Sequence, residues 1–416
     1  MRRVLGSLLI AALLCCSGWV WAKPKPPQDP DGDALQNIIT VSPSGGQFET
    51  LTEAVDYLAT VSPPPSEDNR FLIRVGPGTY EGPVEMVEWV NIEGSGQDVT
   101  VVWAAGSSDF YQAWTILGAD HAELANLTVR SVGGFTHAIG VYCEDTSPTL
   151  RLVRIVASDG NMNRGVMATR SRVELADVVV EATGGVWSRA LQAVEGAPTI
   201  VDSQFLAAGS NDVCGVSVRT VDDVVRIIDS TILAGSGQEA KAVGVSVFRS
   251  GGVRLDDVEI VARSSGTSSA LEVTDTVPVV ELKDCSLTAA GLYNSDAVFD
   301  YSYDGEPLDR YVTDSILRGD RSSIYIQTPN RYFIGTSQLS GPLVSTSWGG
   351  TGQCVASFDA EFQPLKADCS PASAGTPTPT PQVTPTPTPY VPTPTPTPYW
   401  TPTPTPTSTY TPTPTS

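Results

Sequence analysis

Short apolar stretches recur along the middle of the chain from about residue 118, and the pattern returns every 22–30 residues. Each repeat has a first apolar stretch that follows an Asp or Asn, then a Gly-rich polar segment, then a second apolar stretch. The first stretches begin at Asn126, Asp177, Asp202, Asp229, Asp257, Asp284 and Asp314, and residues 153–156 fill the same place without the acid. The second stretches begin at Ala138, Ala190, Gly215, Val243, Ala270 and Ala297. A fixed period of this length is typical of a repeat architecture.

Two or three short strands per repeat, with no helical period between them, predict an all-β, single-stranded parallel β-helix. One coil cannot bury its own apolar face, so neighbouring coils must stack and form ladders of Val, Ile and Leu. A β-sandwich or a propeller is the alternative, because both also consist of short strands. A sandwich would need tight hairpin turns such as Asn-Gly, which the sequence lacks. Propeller blades are longer, at about 40–50 residues.

The repeated Asp has two interpretations. Stacked coils bring these carboxylates near one another, and a row of oxygen ligands would suit Ca²⁺. The interpretation we favour is an Asx turn, in which the short side chain accepts backbone N–H bonds at the corner before each strand. We therefore expect no cofactor, with Ca²⁺ as the alternative.

An amphipathic segment precedes the repeats. Residues 50–60 predict a helix, and its apolar residues share one face: Leu51, Ala54, Val55 and Leu58. Thr50 and Glu53 have the spacing of a capping box. Because an open β-helix end exposes its core and its strand edges, we expect this helix to cap the first coil.

The two ends of the chain have different compositions. Residues 1–22 have a basic start, an apolar stretch and a small-residue cleavage site at Ala22, which predict a secretory signal peptide, with a retained anchor as the alternative. Residues 23–39 are interpreted as a spacer. Residues 371–416 are mainly alternating Thr and Pro, which predicts a disordered, extended stalk with candidate O-glycosylation sites. We expect a secreted, extracellular protein without a transmembrane segment in its mature chain, and we expect the stalk to associate it with a cell surface.

Net charge limits the classes of binding partner, and the number of cysteines limits the possible disulfides. The chain has 46 acidic and 25 basic residues, a formal charge of −21, which argues against nucleic acid or an anionic membrane as a partner. Removal of residues 1–22 leaves five cysteines: Cys143, Cys214, Cys285, Cys354 and Cys369. We predict a disulfide between Cys354 and Cys369, which lie in a polar C-terminal segment, and interpret the other three as small core residues.

Three N-terminal segments resemble the opening of the pectin methylesterases: residues 41–58, 71–86 and 90–102. In that family a Gly-rich turn precedes a capping helix, a strand leads to a Gly-x-Tyr turn, and a Gly-x-Gly turn precedes the first coils. The resemblance implies the right-handed parallel β-helix of the pectin-lyase-like superfamily. Together with the repeat pattern, we assign the cap and first coils to 40–105 and the repeats with a C-terminal cap to 106–370.

The catalytic motifs of that family are largely missing from this sequence. After an Asn-x-Thr strand, which Asn126 begins here, His137 stands where the family has an oxyanion Gln. Asp159 matches the general-acid Asp of a Gln-Asp-Thr motif whose Gln is absent. The stretch that should carry the nucleophilic Asp, residues 183–188, contains no carboxylate, and the Gly-Arg-Pro-Trp motif has no counterpart. His137 and Asp159 are therefore the catalytic candidates, without a complete set of partners.

Loops between the first and second strands should stack into a ridge on one corner. Candidate carbohydrate-binding residues there are Phe135, Asn163, Arg164, Trp187, Arg189 and Tyr293. Aromatic faces beside polar groups are suited to sugar rings, although ordinary variable loops would have the same composition.

For the whole protein we expect a monomeric module without efficient catalysis. It would bind an extracellular polysaccharide or glycan, or act in adhesion or as a surface scaffold. The alternative is a divergent pectin esterase-like enzyme or polysaccharide lyase.

Overall fold

The computed structural model describes residues 37–133, 136–301, 306–340, 344–346 and 349–372. The predicted signal peptide, most of the spacer, Phe135 and nearly all of the Thr/Pro stalk lie outside the described residues. No helix in the described part of the chain is both long and apolar enough to span a membrane.

The N-terminal part contains the predicted capping helix, α1, at Leu51–Leu58. Thr50 Oγ1 accepts a hydrogen bond from Glu53 N, and Glu53 Oε2 accepts one from Thr50 N, both at 3.2 Å. Its buried residues are Leu51, Ala54 and Leu58, so the capping box and the apolar face are both confirmed. A short 3-10 helix lies at Phe110–Gln112. The strands around them are β1 (Asn37–Val41), β2 (Phe71–Val75), β3 (Gly78–Glu81), β4 (Val84–Glu85), β5 (Val90–Gly94), β6 (Thr100–Ala105) and β7 (Trp114–Leu117).

Strands alone form the regular structure of the described residues that follow. They are β8 (Glu123–Val132), β9 (His137–Glu144), β10 (Thr149–Ser158), β11 (Met162–Thr169), β12 (Glu174–Ala176), β13 (Val179–Val194), β14 (Thr199–Val201), β15 (Gln204–Arg219), β16 (Val224–Ile228), β17 (Thr231–Ala234), β18 (Lys241–Phe248), β19 (Gly252–Asp256), β20 (Glu259–Arg263), β21 (Thr267–Thr274), β22 (Val279–Lys283), β23 (Ser286–Ala290), β24 (Ser295–Tyr301), β25 (Asp309–Thr313), β26 (Ile316–Gly319), β27 (Ser322–Ile326), β28 (Arg331–Gly335), β29 (Gln338–Ser340), β30 (Val344–Thr346) and β31 (Thr351–Val355).

These strands pair in parallel with the equivalent strand of the next coil and form three ladders. The first ladder contains β1, β2, β5, the starts of β8 and β10, β12, β14, β16, β19, β22, β25, β28 and β31. The second contains β3, β6, the ends of β8 and β10, the starts of β13 and β15, β17, β20, β23, β26 and β29. The third contains β4, β7, β9, β11, the ends of β13 and β15, β18, β21, β24, β27 and β30. The predicted all-β parallel solenoid is confirmed.

Aliphatic columns inside the ladders form the core. In the first ladder one column consists of Leu150, Leu175, Ile200, Ile227, Leu255, Leu282, Val312 and Ile334, each at most 1% exposed. Each of these side chains is covered by its counterparts in adjacent coils, so the apolar ladder predicted from the period is present.

The repeated Asp occupies the corner between the first and second ladders, but not as an Asx turn. Asn126 and the six Asp residues of the repeats have φ between 48° and 56°, a left-handed conformation in which Asp and Asn are enriched. Their backbone N–H groups donate to the next coil, as Asp202 N does to Ile228 O at 3.1 Å and Asp257 N to Lys283 O at 3.1 Å. None of these Asp side chains accepts a backbone N–H bond within the described residues, so the favoured Asx-turn interpretation is corrected: the corner requires a residue that tolerates positive φ.

The cysteines agree with the sequence interpretation. Cys354 and Cys369 form a disulfide with their Cα atoms 5.1 Å apart. Cys143, Cys214 and Cys285 are free and buried. As for metal ligands, no group of three or more His, Cys, Asp or Glu residues with suitable spacing exists among the residues that the structure describes.

Candidate functional site

The outer face of the third ladder gathers four of the eight predicted catalytic and binding residues: His137, Arg164, Trp187 and Arg189. One column of register partners on consecutive coils consists of His137, Met162, Trp187, Asp212 and Lys241. A second column contains Ile139, Arg164, Arg189, Cys214 and Val243. A third contains Tyr142, Met167, Gln192, Ser217, Ser246 and Glu272. Because each coil repeats at nearly the same length, residues about 25 positions apart become neighbours on this face.

The 3-10 helix at Phe110–Gln112 closes one end of this face. The Phe110 ring lies edge-on to His137 with centroids 5.5 Å apart and edge-on to Tyr142 at 5.8 Å. The Arg164 guanidinium carbon lies 5.7 Å from the centroid of the same ring. Phe110 is not among the site residues predicted from the sequence, because it lies before the repeats.

Arg164 is the centre of a polar network at this end. Its Nε donates to Gln192 Oε1 at 2.9 Å, and its Nη1 lies 3.5 Å from His137 Nδ1. Its Nη2 lies 3.9 Å from Met162 Sδ. Gln192 was also not among the predicted site residues, although aligning the second strands would have placed it one coil from Arg164.

Burial and mutual repulsion shape the protonation of this network. Burial, followed by the charge of Arg189, lowers the pKa of Arg164 to about 10. Burial also lowers the pKa of His137, Arg164 lowers it further, and Asp109 partly opposes them. His137 is therefore a neutral imidazole at neutral pH. Since an arginine can only donate, the close approach of Arg164 favours the tautomer with Nδ1 as acceptor and Nε2 carrying the proton.

A polar groove of about 200 Å³ continues along the same face. Its lining residues are Arg189, Asp212, Cys214, Ser217, Arg219, Lys241, Val243, Ser246, Phe248, Glu272 and Thr274. Lys241 Nζ lies 2.9 Å from Glu272 Oε2. Burial alone would lower the pKa of Lys241, but the Glu272 carboxylate raises it overall, so this amine stays charged and is a poor base. Burial raises the pKa of the Cys214 thiol to about 12, so it is a poor nucleophile.

Two predicted residues lie elsewhere than expected. Asn163 is only 1% exposed, so it is not displayed on a loop ridge. Its Nδ2 donates to Gly160 O and Thr183 O, and its Oδ1 accepts from Gly160 N, so the amide braces the corner instead. Asp159 is exposed and accepts from Ser158 Oγ at 3.0 Å. No carboxylate or arginine pairs with Asp159 in the described segments.

Tyr293 is displayed as predicted, in a loop beyond the groove. Its side chain is 74% exposed, and the adjacent Leu292 is 79% exposed. The loop is tied to the preceding coil by a hydrogen bond from Tyr293 N to Gly266 O at 3.1 Å. Tyr293 therefore offers a ring at one corner of the solenoid, separate from the groove lining.

Comparison with known proteins gives similarities to solved structures alone. No protein-family model matches the chain, and no curated protein matches it. The chain is similar to pectate lyase Pel9A, with 13% identity, 83% of this chain and 92% of that chain covered, and a TM-score of 0.46. It is similar to a tailspike protein of the Acinetobacter baumannii bacteriophage Fri1, a capsular polysaccharide depolymerase, with 13% identity, coverages of 80% and 65%, and a TM-score of 0.44. It is also similar to pectin methylesterase PemA from Erwinia chrysanthemi, with 11% identity, coverages of 81% and 93%, and a TM-score of 0.31. Identities this low and TM-scores below 0.5 do not extend to activity or substrate, which remain properties of those proteins.

Proposed function

We propose that this protein is a secreted extracellular module that binds a polysaccharide along the third ladder, without efficient catalysis. The observation that carries the proposal is the polar groove across β13, β15, β18 and β21, where guanidinium, ammonium and carboxylate groups alternate in neighbouring coils. Strands about 4.8 Å apart make these three steps about 14 Å long, a span suited to several linked sugar rings. Hydroxyl groups of a sugar can donate to Asp212 and Glu272 and accept from Arg189 and Lys241.

The chemistry of the groove favours binding over turnover. Lys241 is held in its charged form by Glu272, and the Cys214 thiol stays protonated. At the Phe110 end, His137 presents a neutral ring whose favoured tautomer donates through Nε2, which suits a hydrogen bond to a ligand oxygen. Ester hydrolysis would instead need a nucleophile, an acid and oxyanion donors that converge on one carbonyl.

The groove should lose affinity when Trp187, the register neighbour of the lining residue Asp212, loses its ring. We expect Trp187→Ala to weaken binding of the best ligand in a panel of soluble polysaccharides by at least about tenfold, because an aromatic anchor contributes apolar contact to a sugar ring. Isothermal titration calorimetry on the purified protein measures this. The matched control is Tyr311→Ala, which removes a 47% exposed aromatic side chain from the first ladder and should leave affinity unchanged. Failure of every polysaccharide to bind, or equal losses in both variants, would contradict the proposal.

The enzymatic alternative has a direct test. We expect the purified protein to release no methanol above blank from highly methyl-esterified pectin, because Asp159 has no second carboxylate or arginine beside it among the described residues. The assay is run beside Asp159→Ala. Release by the wild-type protein that disappears in this variant would establish a rebuilt esterase site and overturn the non-catalytic proposal.

A further inference from the structure

Two arginines stand side by side at the junction of the Phe110 end and the groove. Arg164 on β11 and Arg189 on β13 are direct register partners in the third ladder. Neighbouring parallel strands lie about 4.8 Å apart, so two like charges are held in adjacent coils. Both side chains are half-buried, which limits the water that can screen them.

Neither guanidinium has a carboxylate partner among the residues that the structure describes. Arg164 contacts Gln192, His137, Met162 and the Phe110 ring, all of which are uncharged. Arg189 makes no hydrogen bond and no ion pair with any residue in the described part of the chain. Six other arginines of the solenoid are paired with a carboxylate: Arg151 with Glu123, Arg154 with Glu181, Arg170 with Asp145, Arg249 with Asp275, Arg254 with Glu281 and Arg331 with Asp309.

An unneutralised, partly desolvated pair of cations is costly in a protein. The lowered pKa of Arg164, caused first by burial and then by Arg189, reports the same strain. A ligand oxyanion between the two guanidiniums would relieve it through charge-assisted hydrogen bonds. Planar guanidinium groups match carboxylate, sulfate and phosphate oxygens particularly well.

We propose that Arg164 and Arg189 hold one oxyanion substituent of the bound glycan, a carboxylate, sulfate ester or phosphate ester. This assignment rests on the proposed function. Beyond Arg189 the groove carries two acids, Asp212 and Glu272, and two bases, Arg219 and Lys241, and the whole chain has a formal charge of −21, so a densely charged polyanion finds no continuous positive surface there. The ligand class is therefore a glycan with sparse negative charges, whose remaining sugars are neutral.

Arginine side-chain resonances of the full-length protein, labelled with ¹⁵N-arginine, test the site directly. Sodium sulfate, phosphate and acetate are titrated in turn, with sodium chloride at matched ionic strength as reference. We expect the Nε–H signals of Arg164 and Arg189, assigned from Arg164→Gln and Arg189→Gln, to shift saturably with an oxyanion. In each variant, the remaining signal should need at least about tenfold more anion. The anion with the lowest apparent Kd identifies the substituent.

The control is Arg154→Gln, which removes an exposed arginine paired with Glu181 at 2.8 Å. In this variant the Nε–H signals of Arg164 and Arg189 should still shift saturably with the anion. Absence of a saturable shift, or the same shift in chloride alone, overturns the anion site. If Trp187→Ala abolishes polysaccharide binding while no oxyanion shifts these signals, the proposed function stands and this inference falls. If oxyanions bind but no polysaccharide does, the proposed function falls and so does the assignment of the anion to a glycan.

Discussion

Replacement of Asp300 by Asn is expected to lower the free energy of unfolding by about 3–5 kcal/mol, because it leaves a buried guanidinium without its counter-ion. Arg310 and Asp300 are both 0% exposed in the interior of the solenoid. Arg310 Nε donates to Asp300 Oδ2 at 3.3 Å, and its Nη1 donates to Pro278 O at 3.1 Å. Tyr332 Oη donates to Asp300 Oδ2 at 2.8 Å. Urea unfolding followed by circular dichroism measures the loss.

Two further variants test whether the loss of stability comes from the unpaired buried charge. Asp309→Asn removes the partner of Arg331 from a surface ion pair with an N–O distance of 2.7 Å, and it should cost less than about 1 kcal/mol. The double variant Asp300→Leu with Arg310→Met removes both buried charges and should recover most of the stability that Asp300→Asn loses. A stability of Asp300→Asn equal to that of wild type would show that the core does not depend on this pair.

The fold was predictable because its signals are local or periodic. The capping box of Thr50 and Glu53 lies within four residues of sequence and needs no tertiary information. The solenoid repeats its apolar positions with the coil, so the stacking of Leu150 on Leu175 follows once the period is known. The disulfide between Cys354 and Cys369 joins two residues 15 positions apart in a polar segment, so its signal is local.

The site was less predictable because the period alone does not say which residue of a corner points inward. Asn163 and Arg164 are adjacent in sequence, yet Asn163 is buried and braces the corner, and Arg164 contacts Phe110 and His137 on the outer face. A shift of one position reverses the side of a strand. Phe110 reaches the site from a non-repeating 3-10 helix, which no repeat alignment includes. Asp212 and Lys241, in contrast, could have been found, since aligning the second strands places them in the column of Trp187.

Packing against the second ladder explains why one position in each coil of the third ladder is Gly or Ala. A column of small residues runs beside the groove at the position after Arg164 and its counterparts: Gly140, Gly165, Ala190, Gly215, Gly244, Ala270 and Ala297. A Cβ atom on Gly165 would lie 2.1 Å from Val180 Cγ1, and one on Gly215 would lie 2.3 Å from Ile232 Cγ2. The second ladder therefore limits the size of these residues.

Gly165→Ala is accordingly expected to lower the free energy of unfolding by about 1–3 kcal/mol through overpacking against Val180. The control is Gly335→Ala, whose new Cβ would meet Thr313 Cγ2 at an ordinary 3.7 Å and should change stability by no more than about 0.5 kcal/mol. Both variants are compared by urea unfolding. Equal stability of Gly165→Ala and wild type would mean that the second ladder shifts freely and does not restrict this column.

The pattern of glycine and alanine in the column predicts how the loss can be reversed. Where the column has Gly140, Gly165, Gly215 and Gly244, a Cβ would strike a β-branched side chain of the next coil: Ile155, Val180, Ile232 and Ile260. Their register counterparts in the coils that follow Ala190, Ala270 and Ala297 are Phe205, Leu287 and Leu317, which are unbranched at Cβ. Where the facing residue of the second ladder is β-branched, its extra methyl group therefore leaves no room for the Cβ of an alanine in the column. We expect Val180→Leu to restore part of the stability lost in Gly165→Ala, because the contact of the new Cβ with Ala190 O at 2.7 Å remains. Additive losses in the double variant would contradict this steric coupling between the ladders.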